Sequence, residues 1–193
     1  ERGYRTTAII GGPGGTLETR LTKDGIPFHV LDLDVFSSRN TRTAAKKFLQ
    51  LASLLRQLRA DVVHFHLFPS IILGRLAAWA ADVPVRFSMI PGPYYLEAPV
   101  LGTIDLRTAP FDTRVIASCE YTRTLYCRGN VPREHIERIY YGQDVRPYDP
   151  SRADGARVRR ELGIAPERPV VGDVAYFYPP LPDNPFTPHH LVH

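Results

Sequence analysis

Residues 60–92, ADVVHFHLFPSIILGRLAAWAADVPVRFSMIPG, decide the fold. Asp61 opens an apolar run over 62–68 whose β-branched and aromatic residues suit a buried strand. Pro69 and Ser70 then read as a turn and helix N-cap. Residues 71–81 are almost all apolar or small, too long a run for a strand and fitted to a helix lying flat on a sheet. Pro84 ends it, 85–90 reads as a second buried strand, and Pro91-Gly92-Pro93 stops that strand. Strand, helix, strand with tight connections is a βαβ unit with parallel strands. Ligands of such sheets sit beyond the carboxyl ends of the strands, so chemistry is expected near His66 and near Met89 to Gly92.

The 193 residues suffice for a large core, and 44% hydrophobic with 23% charged residues is a globular composition. No stretch approaches the roughly 20 apolar residues of a membrane span. The opening residues lack the apolar core of a signal peptide. Cys119 and Cys127 fall on different turns of one expected helix, which argues against a disulfide and fits a reducing cytoplasm. A net charge of +4 and a pI near 9.2 are too mild for a nucleic-acid binder. Six basic residues and no acidic one lie between Arg39 and Ala60. At helical spacing Arg39, Arg42, Lys46 and Arg56 share a face opposite Ala44, Phe48, Leu51, Ala52 and Leu55. That face reads either as a solvated exterior or as a peripheral contact with an anionic membrane.

Outward from the central unit, strands are expected over 5–10, 26–33, 113–117 and 136–141, and helices over 16–24, 41–58 and 120–128. Residues 94–110 read as a long irregular loop with a short helical turn near 101–106. Gly11-Gly12-Pro13-Gly14-Gly15 follows a strand and reads either as a tight connection or as a phosphate cradle, without the spacing of either standard nucleotide motif. The alternation through Gly142 predicts a doubly wound, mostly parallel α/β sheet with helices on both faces. Three segments are expected: a Rossmann-like domain over 1–142, a linker with one helix over 143–168, and over 169–193 the first strand of a further domain and an irregular tail. His189, His190 and His193 in that tail can bind a metal adventitiously, or belong to a frayed terminus.

The order DVVHFH, then LGRLAAWAADVPVR, VIAS, VPREHIERIYYGQD and RRELGIAPERPVVGDVAYFYPP resembles the N-terminal half of the family 4 glycosyltransferases. The resemblance runs from Gly3 to Pro180. It implies a GT-B architecture of two facing Rossmann-like domains: an N-terminal acceptor domain, a C-terminal domain for the nucleotide-sugar donor, and retaining transfer in the cleft without a metal or other cofactor. It also implies that the family's first strand and glycine-rich turn would lie before Glu1, and that almost all of the donor domain is absent from these residues. The chain is therefore expected to be an acceptor-binding half, inactive alone.

The resemblance bears on particular residues. Related loops read Gly-Pro-x-His-Leu-Glu where this chain has Gly92-Pro93-Tyr94-Tyr95-Leu96-Glu97, so Tyr95 stands where a histidine would contact the transferred sugar. A phenol donates a hydrogen bond but does not titrate near neutrality as imidazole does. Tyr95 is thus the candidate catalytic position, and His66, Gly92, Glu97, Gly12 and Gly14 are candidate acceptor contacts. Ser118 and Arg123, at the start of a helix, are candidates to face the cleft or a phosphate, with capping as the alternative for Ser118. His64 points the same way as His66 and reads as a buried, hydrogen-bonded imidazole. No metal site is expected, because nothing at suitable spacing completes the histidine pair. The family's Asn-Gly-Val-Asp hinge appears as Tyr141-Gly142-Gln143-Asp144. The expected partners are a nucleotide sugar and a carbohydrate or lipid-linked acceptor, at a cytoplasmic site that extends to the inner membrane face. Two alternatives remain: a non-catalytic remnant that binds a sugar or a protein, and a sugar-nucleotide epimerase of the same architecture.

Overall fold

The computed structural model describes residues 3–34, 41–92, 96 and 98–172. The chain divides into two units, Glu1–Gly142 and Gln143–His193. In the first, strands and helices alternate strictly: β1 (Ala8–Ile10), α1 (Gly15–Lys23), β2 (Phe28–Val30), α2 (Thr41–Leu58), β3 (Val62–His66), α3 (Phe68–Ala80), β4 (Val85–Ile90), α4 (Pro99–Thr108), β5 (Arg114–Ala117), α5 (Glu120–Arg128) and β6 (Ile136–Arg138). All strand pairings are parallel. The unit is an α/β, Rossmann-like fold of parallel sheets flanked by helices.

Helix α3 is the core element. Ile71, Ile72, Leu73, Ala77 and Ala78 are buried along it, against a cluster that includes Leu51 and Leu55 of α2, Phe65, Ile90 and Val115. Each large aliphatic chain so buried contributes about 1.5–3 kcal/mol. Gly74 lets α3 approach the sheet: a Cβ there would lie 2.4 Å from the Phe65 ring.

One polar cluster penetrates this core. Arg75 is fully buried, its Nε donating to Asp112 Oδ2 (2.7 Å) and Ser88 Oγ (3.2 Å). Its Nη1 donates to Asp105 Oδ1 (2.6 Å), to the Asp105 carbonyl and to Thr108 Oγ1. Tyr126 donates its hydroxyl to the other Asp105 oxygen. The cluster thereby ties α3, β4, α4, the approach to β5 and α5 together. Burial opposes the charge on Arg75, but Asp112, Asp105 and Tyr126 outweigh it and raise its pKa, so the guanidinium stays ionised. Burial pushes the Asp112 carboxyl up, against the pull of Arg75 and Ser88. Arg75 Nη2 and Asp112 Oδ1 are buried without a protein hydrogen-bond partner among the described residues.

Several expectations need correction. Among the described residues the parallel strands pair as two ladders, β1-β2 and β3-β4-β5-β6. Periodicity reveals a strand but not which neighbour takes its edge. Strand β3 is an end strand of its ladder, and Val62, His64 and His66 are exposed while Val63 and Phe65 turn inward, so it is not buried throughout. Helix α3 starts at Phe68, with Leu67 at its N-cap and no side-chain cap bond. Ser70 lies in its first turn and donates to the Leu67 carbonyl (3.0 Å), so it is not the cap. The expected irregular stretch contains α4 and a 3-10 turn over Ala109–Phe111, with Pro99 in the first turn of α4, where its missing N–H costs nothing. Strands β1, β2 and β6 are shorter than expected, three residues each.

On α2 the expected apolar stripe is the inward one, with Leu51, Ala52 and Leu55 buried. Arg42, Lys46 and Arg56 are exposed, and Arg56 donates to the Ala80 carbonyl. Arg39 lies outside the described residues. Cys119 and Cys127 are free thiols. Among the described residues no helix is long and apolar enough to cross a membrane.

The second unit has 3-10 turns at Arg146–Tyr148 and Pro150–Arg152 and a helix α6 (Gly155–Glu161). Asp154 caps α6 by accepting from the Arg157 N–H, and Gly163 closes it with φ 66°. Residues 169–172 carry no regular structure. The rest of the expected strand and the histidines of the tail lie outside the described residues.

Candidate functional site

The carboxyl ends of β3 to β6 come out in register along one edge. His66 lies opposite Met89, and Ile90 opposite Ala117. The Ser118 N–H donates to the Ile90 carbonyl (3.2 Å), and the Ile139 N–H to the Ala117 carbonyl (3.0 Å). The Ser118 hydroxyl donates to the Pro91 carbonyl (2.9 Å). That bond ties the turn at Pro91 and Gly92 to the start of α5.

Beyond Ser118 a charged cluster forms around Glu120. Arg123 donates from Nε (3.0 Å) and Nη2 (2.7 Å) to Glu120 Oε1, and Arg138, at the end of β6, donates from Nη1 to Oε2 (3.1 Å). Arg123, then Arg138 and Arg133, hold the Glu120 carboxyl below its ordinary value, so it is a carboxylate at neutral pH and no proton donor. Arg138 lies over the exposed Tyr140 ring, 5.1 Å from its centroid. Cys119 is the N-cap residue of α5, so the capping alternative for Ser118 does not hold: its hydroxyl is spent on the Pro91 carbonyl. The Thr122 hydroxyl, 3.3 Å from its sulfur, lowers its pKa first, with the backbone N–H groups of Thr122 and Tyr121 and the Ser118 side chain adding to this.

At β3, His64 and His66 present neighbouring rings with centroids 4.2 Å apart, and His64 meets Phe87 edge-on. Partial shielding, and second the neighbouring His66, lower the His64 pKa. His64 is exposed, contrary to its reading as a buried imidazole. Among the described residues no three His, Cys, Asp or Glu side chains gather where a metal could bind.

Gly12 and Gly14 are exposed in the turn after β1. Gly14 has φ 81°, and its N–H donates to the Glu18 carboxylate. This glycine turn therefore holds a side-chain anion of its own. An open depression of about 520 Å³ runs along α1 beside it, lined by Gly14, Gly15, Glu18, Thr19, Thr22 and Lys23. Its lining shares no residue with the edge of β3 to β6.

Of the sequence candidates, the structure joins Gly92, Ser118 and Arg123 in one region, with His66 farther along the same edge. Tyr95 and Glu97 lie outside the described residues, although Leu96 between them packs on α4: a Cβ on Gly102 would stand 2.7 Å from the Leu96 carbonyl oxygen. Glu120, Arg138 and Tyr140 were missed. The Glu120–Arg123 pair is a local i,i+3 spacing that the sequence does display, whereas the approach of Arg138 depends on β6 lying beside β5.

Parallel strands alternating with helices, with a proline-glycine turn and a guanidinium cluster at the carboxyl edge, define a Rossmann-like domain. The chain belongs to the glycosyl transferase 4-like domain family, whose model matches residues 1–142. No curated protein matches it. Among solved structures it is similar to HepE of Anabaena in complex with UDP (19% identity, TM-score 0.59) and with UDP and glucose (19%, 0.61), covering 81% of this chain and 42% of HepE in each. A HepE complex with UDP-glucose gives 17% identity and a TM-score of 0.59 over 81% of this chain and 50% of that one. The chain thus spans half or less of the length of these structural relatives.

Proposed function

We propose that this chain is the acceptor-binding half of a retaining, metal-independent glycosyltransferase that moves a hexosyl group from a nucleotide sugar to a sugar or lipid-linked acceptor. The observation that carries the reading is the family match over 1–142, which ends where the first structural unit ends. UDP and UDP-glucose in the HepE complexes make a uridine nucleotide sugar the first donor to try. The edge formed by β3 to β6 suits this half of the task. Its guanidinium groups suit a hydroxylated ligand, while the Glu120 carboxylate is held ionised and unfit to donate a proton. Tyr95, in the sequence that follows Gly92, is proposed to meet the transferred sugar, and Glu97 the hydroxyls of the acceptor.

The test is release of UDP from UDP-glucose by residues 1–193, and by the chain expressed with its flanking coding sequence, with and without a carbohydrate acceptor. Release is expected only from the longer protein and only with acceptor, unchanged by EDTA, with the anomeric configuration kept. Turnover by residues 1–193 alone overturns the half-enzyme reading. A longer protein that inverts a sugar without any acceptor overturns the transferase.

A further inference from the structure

We infer that Arg123 and Arg138 form a subsite for an anionic group, a carboxylate or a phosphate, carried by the acceptor sugar. This rests on the transferase reading, although binding can be measured without it. Arg123 spends Nε and Nη2 on Glu120, and Arg138 spends Nη1. Arg123 Nη1 and Arg138 Nε and Nη2 have no acceptor among the described residues. Two guanidiniums on one carboxylate leave a positive charge, and Arg133 lies close enough to act on the same carboxylate.

The arrangement is also held in place. Glu120 grips both guanidiniums, and the Tyr140 ring supports one face of Arg138, so little side-chain entropy remains to be lost on binding. The Arg138 side chain is 40% exposed and that of Arg123 19%, which leaves the cluster open to a ligand. A neutral sugar would leave the spare N–H donors without charged partners; an anionic one supplies them with charge-assisted bonds. The cluster stands beyond the carboxyl ends of β5 and β6, where open α/β sheets take their ligands.

The experiment is calorimetric titration of the full chain with glucuronate, glucose 1-phosphate and glucose. At least one anionic probe is expected to bind roughly tenfold more tightly than glucose, and Arg138→Gln or Arg123→Gln to weaken it by about tenfold. Glu120→Gln should strengthen it, since the amide oxygen still accepts from Arg123 while the repelling charge is gone. Added salt should weaken it. Preference for glucuronate assigns a uronic acid, and preference for glucose 1-phosphate assigns a phosphorylated acceptor. Equal binding of glucose and both anions, or unchanged affinity in Arg138→Gln with an unchanged melting curve, overturns the subsite. UDP release by the longer protein that survives such a result keeps the transferase reading. Anion binding without UDP release removes the transferase reading alone.

Discussion

Two of the arginine–carboxylate clusters among the described residues contrast sharply in setting. Around Arg75 one guanidinium meets two carboxylates with no solvent access, and around Glu120 one carboxylate meets two guanidiniums at the surface. Desolvation makes the difference. In the core, charges are tolerable only because Asp105, Asp112, Ser88, Thr108 and Tyr126 saturate almost every polar atom, so the cluster cannot rearrange for a ligand. At the edge, water screens the charges, and donors remain to spare. The buried cluster specifies the packing of five elements; the exposed one is available for chemistry.

The largest expected effect comes from breaking the buried cluster. Arg75→Met leaves two carboxylates in the core without their cation and is expected to cost about 3–5 kcal/mol in urea unfolding. Arg75→Met combined with Asp105→Asn and Asp112→Asn should recover much of that loss. A triple variant no better than the single one would show that Arg75 acts through packing, not charge.

Next is Gly102→Ala. The new Cβ would meet the Leu96 backbone rather than a yielding side chain, so a cost of about 1–3 kcal/mol is expected. Because Leu96 sits in the segment that carries Tyr95 and Glu97, the variant should also weaken acceptor binding. Gly129→Ala is the control: its Cβ would meet only the end of the Leu106 side chain, at 2.5 Å, and the expected cost is smaller.

The pH dependence separates the clusters by sign. Burial raises the folded-state pKa of Asp112 above its ordinary 3.8, so the native state keeps a proton the unfolded chain has released. Its contribution is complete below 3.8 and is lost as pH rises through the raised value. The cost of Asp112→Asn should therefore be greatest in acid and shrink toward neutrality. A cost that grows with pH would mean that pairing with Arg75 outweighs burial. Glu120 has the opposite sign: its lowered pKa gives stability present above the ordinary 4.5 and lost as pH falls through the lowered value.

Much of this architecture is legible in the residues. The ends of α3 and β4 and the close of α5 follow from Pro84, Pro91 and Gly129, signals that act within a few residues, whereas Ser118, read as a cap, bonds the Pro91 carbonyl and leaves the N-cap to Cys119. Helix α4 was legible only as a short turn near 101–106, because Gly102, Thr103 and Thr108 dilute its periodicity, though Pro99 is a common helix-start residue. The buried cluster had a signal too: Arg75 interrupts an otherwise apolar helix, and an arginine there needs partners. Which partners they are depends on α4 and α5 folding over α3. Which strands pair into which ladder is a tertiary fact that alternation cannot encode, whereas the exposure of His64 and His66 follows from their alternation with the inward Val63 and Phe65. In the candidate site the local pair Glu120 and Arg123 was readable, but the approach of Arg138 and Tyr140 required the order of β5 and β6.

The smallest expected effect on stability sharpens the comparison most. Glu120→Gln removes a carboxylate whose side chain is 45% exposed, so water replaces most of what Arg123 and Arg138 lose. The urea midpoint at neutral pH should stay within error of the parent chain, while affinity for glucuronate or glucose 1-phosphate moves. Arg75→Met should do the reverse in kind, shifting the midpoint far while its direct effect on the spare donors of Arg138 is nil. If Glu120→Gln shifts the midpoint as Arg75→Met does, the edge cluster is a structural clamp between α5 and β6, and its spare donors are incidental. If affinity moves and the midpoint does not, its geometry is maintained for a ligand, since the fold does not need it.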